Sequence, residues 1–191
     1  AVGRVRVASG FQCALKWVGD KAGPAVAGGK AVVLKPSEFT PLTAVELCKA
    51  LIEAGLPPEL LALVHGDGGV VGPQLLADQR IAFYAFTGST RVGKLLMDGA
   101  SQTVTKLSLE LGGNAPCIIF PDVNVEEVAK QSVAWKYRNA GQVCVAPQRF
   151  YVHSKIADEF TDRVAKASRN LCVGNGLIKS TETGPLINAV Q

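Results

Sequence analysis

Long apolar runs, a cysteine framework, blocks of one charge and the common GxGxxG nucleotide fingerprint are all missing from this chain, and each absence removes a class of function. No uninterrupted apolar stretch approaches the roughly 18 residues a membrane span needs, and no n-region, h-region and cleavage site can be read at the start. A soluble, cytoplasmic protein without a membrane partner is expected. Twenty Lys and Arg against sixteen Asp and Glu leave a net charge of +4. The basic residues are scattered as on a solvated surface, so no nucleic-acid partner is expected. The five cysteines (Cys13, Cys48, Cys117, Cys144 and Cys172) are odd in number and lack CxxC spacing, which reads as reduced thiols and not a disulfide framework. No metal-ligand set is assigned. Aromatics at 6% are too few for a typical all-β sandwich, while 20 Gly and 10 Pro without a period are too many for a helical bundle. An α/β chain with many short loops remains, and 191 residues at 48% hydrophobic can bury a core.

Strand and helix patterns alternate along it. Ala31 to Leu34 reads as a strand stopped by Pro36, which cannot donate to a ladder. Thr40 as N-cap and Pro41 at the first helical position open a helix. Leu42, Val45, Cys48 and Ile52 recur at helical spacing, and Gly55 closes it. Strands follow at Leu60 to Val64, Ile81 to Phe86 and Val104 to Leu111, with helices over Gly72 to Ala77 and Arg91 to Met97. Gly112-Gly113 breaks the pattern and is the best candidate domain boundary. Beyond it come a strand from Cys117 to Phe120, a helix through Tyr137 opened by Asn124 and Glu127 at capping-box spacing, a strand from Phe150 to Val152, and an amphipathic helix from Ile156 to Leu171. This order predicts right-handed crossovers and a mostly parallel, Rossmann-like sheet with helices on both faces, plus the start of a second α/β unit.

Four segments carry chemistry. Phe86-Thr87-Gly88-Ser89-Thr90 is a glycine turn at the carboxyl end of a strand, just before a helix whose N–H groups favour a pyrophosphate; a plain βα loop is the competing reading. Lys35-Pro36-Ser37-Glu38 places an ammonium and a carboxylate on a rigid turn, where they could hold ribose hydroxyls or form a solvated surface pair. Glu110 is a lone carboxylate in an apolar strand end. It is either desolvated and poised as a general base, or turned outward by strand alternation. Cys144, in Gly141-Gln142-Val143-Cys144-Val145, is a thiol in a loop where nucleophiles commonly sit; a packing cysteine is the alternative. With only His65 and His153 in the chain, a Cys-His pair of protease type is poorly supported.

In the order KPSE-F-TPLTA, EAGLPP, FTGST-x-VGK, LELGGNAP and GQVCVAPQR, these segments resemble the NAD(P)-dependent aldehyde dehydrogenase superfamily from about Gly19 to Gln191. The runs Arg138-Asn139-Ala140-Gly141-Gln142, Val173-Gly174-Asn175-Gly176 and Gly184-Pro185-Leu186-Ile187-Asn188 are most similar to its semialdehyde-oxidising branch, typified by succinate-semialdehyde dehydrogenases. The resemblance implies a cofactor-binding domain over 1–112 and the first part of a catalytic domain over 113–191. It implies an aldehyde substrate, NAD as cofactor with NADP as the other candidate, and a homo-oligomer at full length. Cys144 would be the nucleophile and Glu110 the base that activates hydrolytic water. Lys35, Ser37 and Glu38 would hold the adenosine ribose, Gly88 and Ser89 the pyrophosphate, and Leu111 and Gly112 the nicotinamide end through their backbone.

The start of the chain departs from the family pattern. Gln12 occupies the position of an Asn that helps stabilise the oxyanion, and Arg4 and Arg6 replace apolar residues in a strand expected to be buried. The downstream Glu-x-Phe-Gly-Pro motif of the family has no counterpart here. Besides the dehydrogenase, two readings stay open: a catalytically silent nucleotide-binding module, and, since deacylation needs no nicotinamide, a cofactor-free esterase using Cys144 and Glu110.

Overall fold

A computed structural model describes residues 4–8 and 14–191. The chain divides into two compact units, Ala1–Leu111 and Gly112–Gln191.

The first unit is built on β1 (Arg4–Ala8), β2 (Ala31–Lys35), β3 (Leu61–Leu63), β4 (Ile81–Gly88) and β5 (Lys106–Leu111). All neighbours are parallel, in the order β3-β2-β1-β4-β5. The helices α1 (Ala14–Ala27), α2 (Pro41–Glu53), α3 (Gly68–Ala77) and α4 (Thr90–Ser101) make the crossovers. Val5 lies in register with Val32 and Phe83, so these three side chains share one face and Tyr84 and Phe86 point to the other. On the first face Val32 and Leu34 pack with Val18 and Ala22 of α1 and Ala44 of α2. On the second, Tyr84 packs with Leu76 of α3 and with Leu96 and Ala100 of α4. Helices thus cover both faces, as the strand–helix alternation implied.

Local chemistry accounts for several boundaries. Pro36 ends β2, and Gly55 at φ +98° closes α2. There Leu56 N donates to Leu51 O at 3.0 Å and Gly55 N to Ile52 O at 2.9 Å, the paired bonds of a Schellman motif. Other boundaries correct the sequence reading. Thr40 sits at the N-cap of α2 without a side-chain cap bond, and its Oγ1 is buried without a partner among the described residues. The inward stripe of α2 is Ala44, Leu47 and Cys48, while Leu42 is 75% exposed, because small Ala44 is what packs against α1. Val45 and Ile52 instead line an open groove of about 380 Å³ with Leu61 and Leu63 of the edge strand β3. The helix α1 escaped notice because Gly19, Gly23 and Pro24 interrupt its pattern. α3 starts at Gly68, four residues earlier than Gly72, because Asp67 Oδ1 accepts from Gly69 N at 2.7 Å. α4 likewise runs beyond both ends of the expected span, and β5 begins only at Lys106, since Val104 has φ +53° and is 87% exposed.

In the second unit β6 (Pro116–Ile119) pairs in parallel with β7 (Arg149–Val152), and α5 (Val125–Tyr137) and α6 (Ala157–Arg169) complete the layer. Asn124 caps α5, its Oδ1 accepting from Glu127 N at 3.1 Å. Ile119, Ala129 and Phe160 form the core, with Cys117, Phe150 and Val152 packed on it. Alternation leaves Ile118 at 67% and Tyr151 at 53% exposed on the opposite face of the ribbon. No helix among the described residues is long and apolar enough to cross a membrane.

Candidate functional site

In the first unit the strand order reverses between β1 and β4, and the carboxyl ends of neighbouring parallel strands carry most of the sequence-predicted residues: Lys35 ends β2, Gly88 ends β4 and Leu111 ends β5. Open parallel sheets bind ligands beyond this edge. Gln12, which follows β1 in the sequence, lies outside the described residues, as does Cys13.

Lys35 is no solvated surface lysine. Its side chain is 6% exposed, and Nζ donates to Pro36 O at 2.7 Å and to Glu38 Oε2 at 3.3 Å. Ser37 is also buried, its Oγ accepting from Phe39 N at 3.2 Å. Glu38 stays 43% exposed, so the turn presents a buried cation with an accessible carboxylate beside it.

At the end of β4, Ser89 caps α4 by accepting from Val92 N at 3.3 Å. The helix therefore starts at Thr90, just beyond Gly88 and its cap Ser89, with its positive dipole end at the carboxyl edge of the sheet. A side chain at Gly88 would strike the Phe86 ring. A Cβ at Gly93 would meet Leu111 Cδ2 at 2.8 Å, so the missing side chain lets helix and strand close up. Thr87, just before Gly88, is buried with an unpartnered Oγ1 among the described residues.

Leu107 and Leu109 of β5 face the α3–α4 core, and Glu110 lies on the opposite face, exposed. Of the two sequence readings, desolvated or turned outward, the side chain takes the outward, exposed one. Lys21 of α1, which the sequence reading missed, is its electrostatic neighbour. Burial pushes the Lys21 ammonium below its ordinary value, the carboxylates of Glu110 and Asp20 pull it back up, and Lys16 adds a smaller lowering. Lys21 stands one helical turn from Val18 on the packed side of α1, a charge at an apolar-face position. That periodicity was the available signal.

In the second unit Cys144 is half-buried and its thiol is free, as are those of Cys48, Cys117 and Cys172. Its loop is fixed on both sides. Before it, Asn139 (φ 53°), Ala140 (φ 58°) and Gly141 (φ 75°) form a left-handed turn, which Asn and Gly tolerate and which costs about 1–2 kcal/mol at Ala140. After it, Ala146 N donates to Val143 O at 3.0 Å, closing a turn around the thiol, and Lys136 Nζ donates to Gln148 Oε1 at 2.8 Å. His153 Nδ1 accepts from Lys155 N at 3.2 Å. Among the described residues no group of three or more His, Cys, Asp and Glu is arranged to hold a metal ion.

The sequence matches the model of the Aldehyde dehydrogenase family over residues 1–191. It is 46% identical over 192 residues to the mitochondrial succinate-semialdehyde dehydrogenase of Oryza sativa subsp. japonica, covering 100% of this chain and 36% of that protein. It is 41% identical over 168 residues to the succinate-semialdehyde dehydrogenase [NADP(+)] of Escherichia coli strain K12, covering 88% of this chain and 35% of that one. Among solved structures, betaine aldehyde dehydrogenase from Staphylococcus aureus in complex with NAD+ superimposes with a TM-score of 0.96 at 35% identity, covering 99% of this chain and 37% of that chain. A mutant aldehyde dehydrogenase from Pseudomonas syringae, complexed with NAD+ and octanal, gives 0.95 at 34% identity, covering 99% and 39%. The chain thus spans a little over a third of the length of the relatives it matches.

Proposed function

The chain belongs to the aldehyde dehydrogenase family, and from that premise we propose that the protein oxidises an aldehyde to a carboxylic acid with a nicotinamide cofactor. The Cys144 loop carries the reading: a free thiol held between a left-handed turn and a closing turn is presented by backbone geometry fixed in advance, as a nucleophile requires. Cys144 as thiolate attacks the aldehyde carbon to give a thiohemiacetal. Bound cofactor would supply the hydride acceptor. Loss of hydride leaves a thioester on Cys144, and water that gives its proton to Glu110 hydrolyses it, releasing the acid and the thiol. Gln12 belongs to the same reading as an amide donor to the oxyanion.

The residues at the strand ends suit the cofactor. Lys35 and Glu38 offer a donor and an acceptor to ribose hydroxyls, with Ser37 fixing their turn. Gly88 and Ser89 leave the start of α4 open to the pyrophosphate, and Leu111 and Gly112 contribute backbone at the nicotinamide end. NAD is the preferred partner, because the 2′-phosphate of NADP would meet the Glu38 carboxylate.

Relatives named for succinate semialdehyde, glutarate semialdehyde and 3-sulfolactaldehyde act on aldehydes that carry a second, anionic group, and a semialdehyde is the substrate proposed here. Free thiols suit a reducing compartment such as the cytoplasm, and homo-oligomerisation of the full-length protein is part of the same proposal. The test is Cys144→Ala in the full-length protein. NADH formation is expected to vanish while NAD still binds; turnover surviving in the variant overturns the assignment. Absence of NADH formation from the wild type across a panel of semialdehydes favours the silent module.

A further inference from the structure

Gln142 uses both ends of its amide. Nε2 donates to Asn139 O at 2.9 Å, and Oε1 accepts from Ile187 N at 2.9 Å, 45 residues along the chain. The orientation of the amide is fixed by its partners, since a main-chain carbonyl must face nitrogen and a main-chain N–H must face oxygen. Gln142 N also donates to Asn139 O, at 3.1 Å, and Asn139 Nδ2 returns a bond to Gln142 O at 3.4 Å. These bonds bracket the three consecutive residues of positive φ, Asn139 to Gly141. Asn139 and Gly141 tolerate that conformation, but Ala140 between them does not choose it unaided. The segment that receives the amide is itself anchored. Thr183 Oγ1 donates to Tyr137 O at 3.3 Å, and Thr183 N donates to Cys172 O at 3.3 Å. The left-handed turn is therefore braced by one segment from both sides, through Tyr137 before it and Gln142 after it.

We propose that Gln142 is the positioning residue for Cys144. Its amide locks the strained turn and pins it to Ile187, so that the thiol two residues later is presented to the carbonyl carbon in one place. Gln142 itself touches no reacting atom. The proposal rests on Cys144 being the nucleophile.

The test compares wild type, Gln142→Met, Gln142→Glu and Cys144→Ala in the full-length protein. The readouts are kcat at saturating aldehyde and NAD, KM for NAD, the rate at which iodoacetamide alkylates Cys144, and the melting temperature. Methionine matches glutamine in length but makes neither bond, and glutamate keeps the acceptor for Ile187 N. Gln142→Met is expected to lower kcat and the alkylation rate by about tenfold or more, with KM for NAD within about twofold and the melting temperature nearly unchanged. Gln142→Glu is expected to recover part of both rates. Wild-type turnover and alkylation in Gln142→Met overturn the proposal, as does Gln142→Glu performing no better than Gln142→Met. A loss that tracks weaker NAD binding and a lower melting temperature overturns it too, since that is a merely structural role. Activity surviving in Cys144→Ala removes the nucleophile reading itself. An inactive Cys144→Ala beside an unimpaired Gln142→Met removes the positioning role alone.

Discussion

Lys35→Met is the substitution that bears most directly on the nucleotide edge. The side chain is 6% exposed, and two of its three N–H groups are occupied, by Pro36 O at 2.7 Å and Glu38 Oε2 at 3.3 Å. The third is what a ribose hydroxyl would receive. A hydrogen bond to a charged group contributes about 1.5–3 kcal/mol, which at about 1.4 kcal/mol per tenfold corresponds to a roughly 10- to 150-fold loss of NAD affinity. Two effects oppose the loss. Methionine removes a buried cation, and it frees Glu38 to meet the hydroxyls alone. Glu38 is 43% exposed, so its pairing with Lys35 is screened and its release recovers little. The expected outcome is a rise of about 10- to 50-fold in the NAD dissociation constant, with kcat within about twofold, because the ribose is remote from the reacting carbon and contributes uniform binding. Fluorescence titration with NAD measures the first quantity, and initial rates at saturating NAD and aldehyde measure the second. An unchanged dissociation constant, or a fall in kcat with binding intact, would show that the Lys35 turn does not face the cofactor.

Glu110→Gln is expected to leave hydride transfer largely intact and slow deacylation, so rapid mixing should show a burst of NADH followed by slow turnover; equal loss of both phases removes Glu110 from the base role. Glu38→Gln is expected to raise NADP affinity more than it changes NAD affinity, and wild-type protein that binds NADP as tightly as NAD at one ionic strength contradicts the assignment. Burial holds Lys21 below its ordinary value of 10.5, so the unfolded chain binds more protons there than the folded one. Stability from this site therefore rises with pH between the lowered value and 10.5. Lys21→Met should flatten that rise in urea melts between about pH 8 and about pH 10.5, and an unaltered slope means that the ammonium is solvated in the folded state.

Where local chemistry decides, the sequence was sufficient. Pro36 stops β2 by lacking a donor, Gly55 closes α2 by accepting a positive φ, and Asn124 caps α5 through Glu127 N. Where tertiary packing decides, it was not. Gly19, Gly23 and Pro24 argue against helix over α1, yet Val18 and Ala22 are buried under the sheet and outweigh them. The inward face of α2 follows from Ala44 meeting α1, which periodicity alone could not distinguish from a face led by Leu42. Glu110 read equally as buried or outward until its partner strand fixed the alternation. Asn139 and Gly141 are compatible with a left-handed turn, but nothing in Ala140 announces one, because bonds that maintain it come from Gln142 and, through it, from Ile187 far along the chain.

The β6–β7 ribbon has a consequence for solubility. One face is covered by α5 and α6, while the other carries Ile118 at 67% and Tyr151 at 53% exposed, with Phe120 at 64% just past the strand. A two-stranded ribbon is marginal by itself, and backbone groups on an unpaired strand edge are templates for another chain. Any piece of this protein that leaves the ribbon without further strands would self-associate through that face and edge in a concentration-dependent way. Lysine at position 118 is the least invasive remedy, since it adds charge to the association surface at a side chain that makes no contribution to the Ile119–Phe160 core.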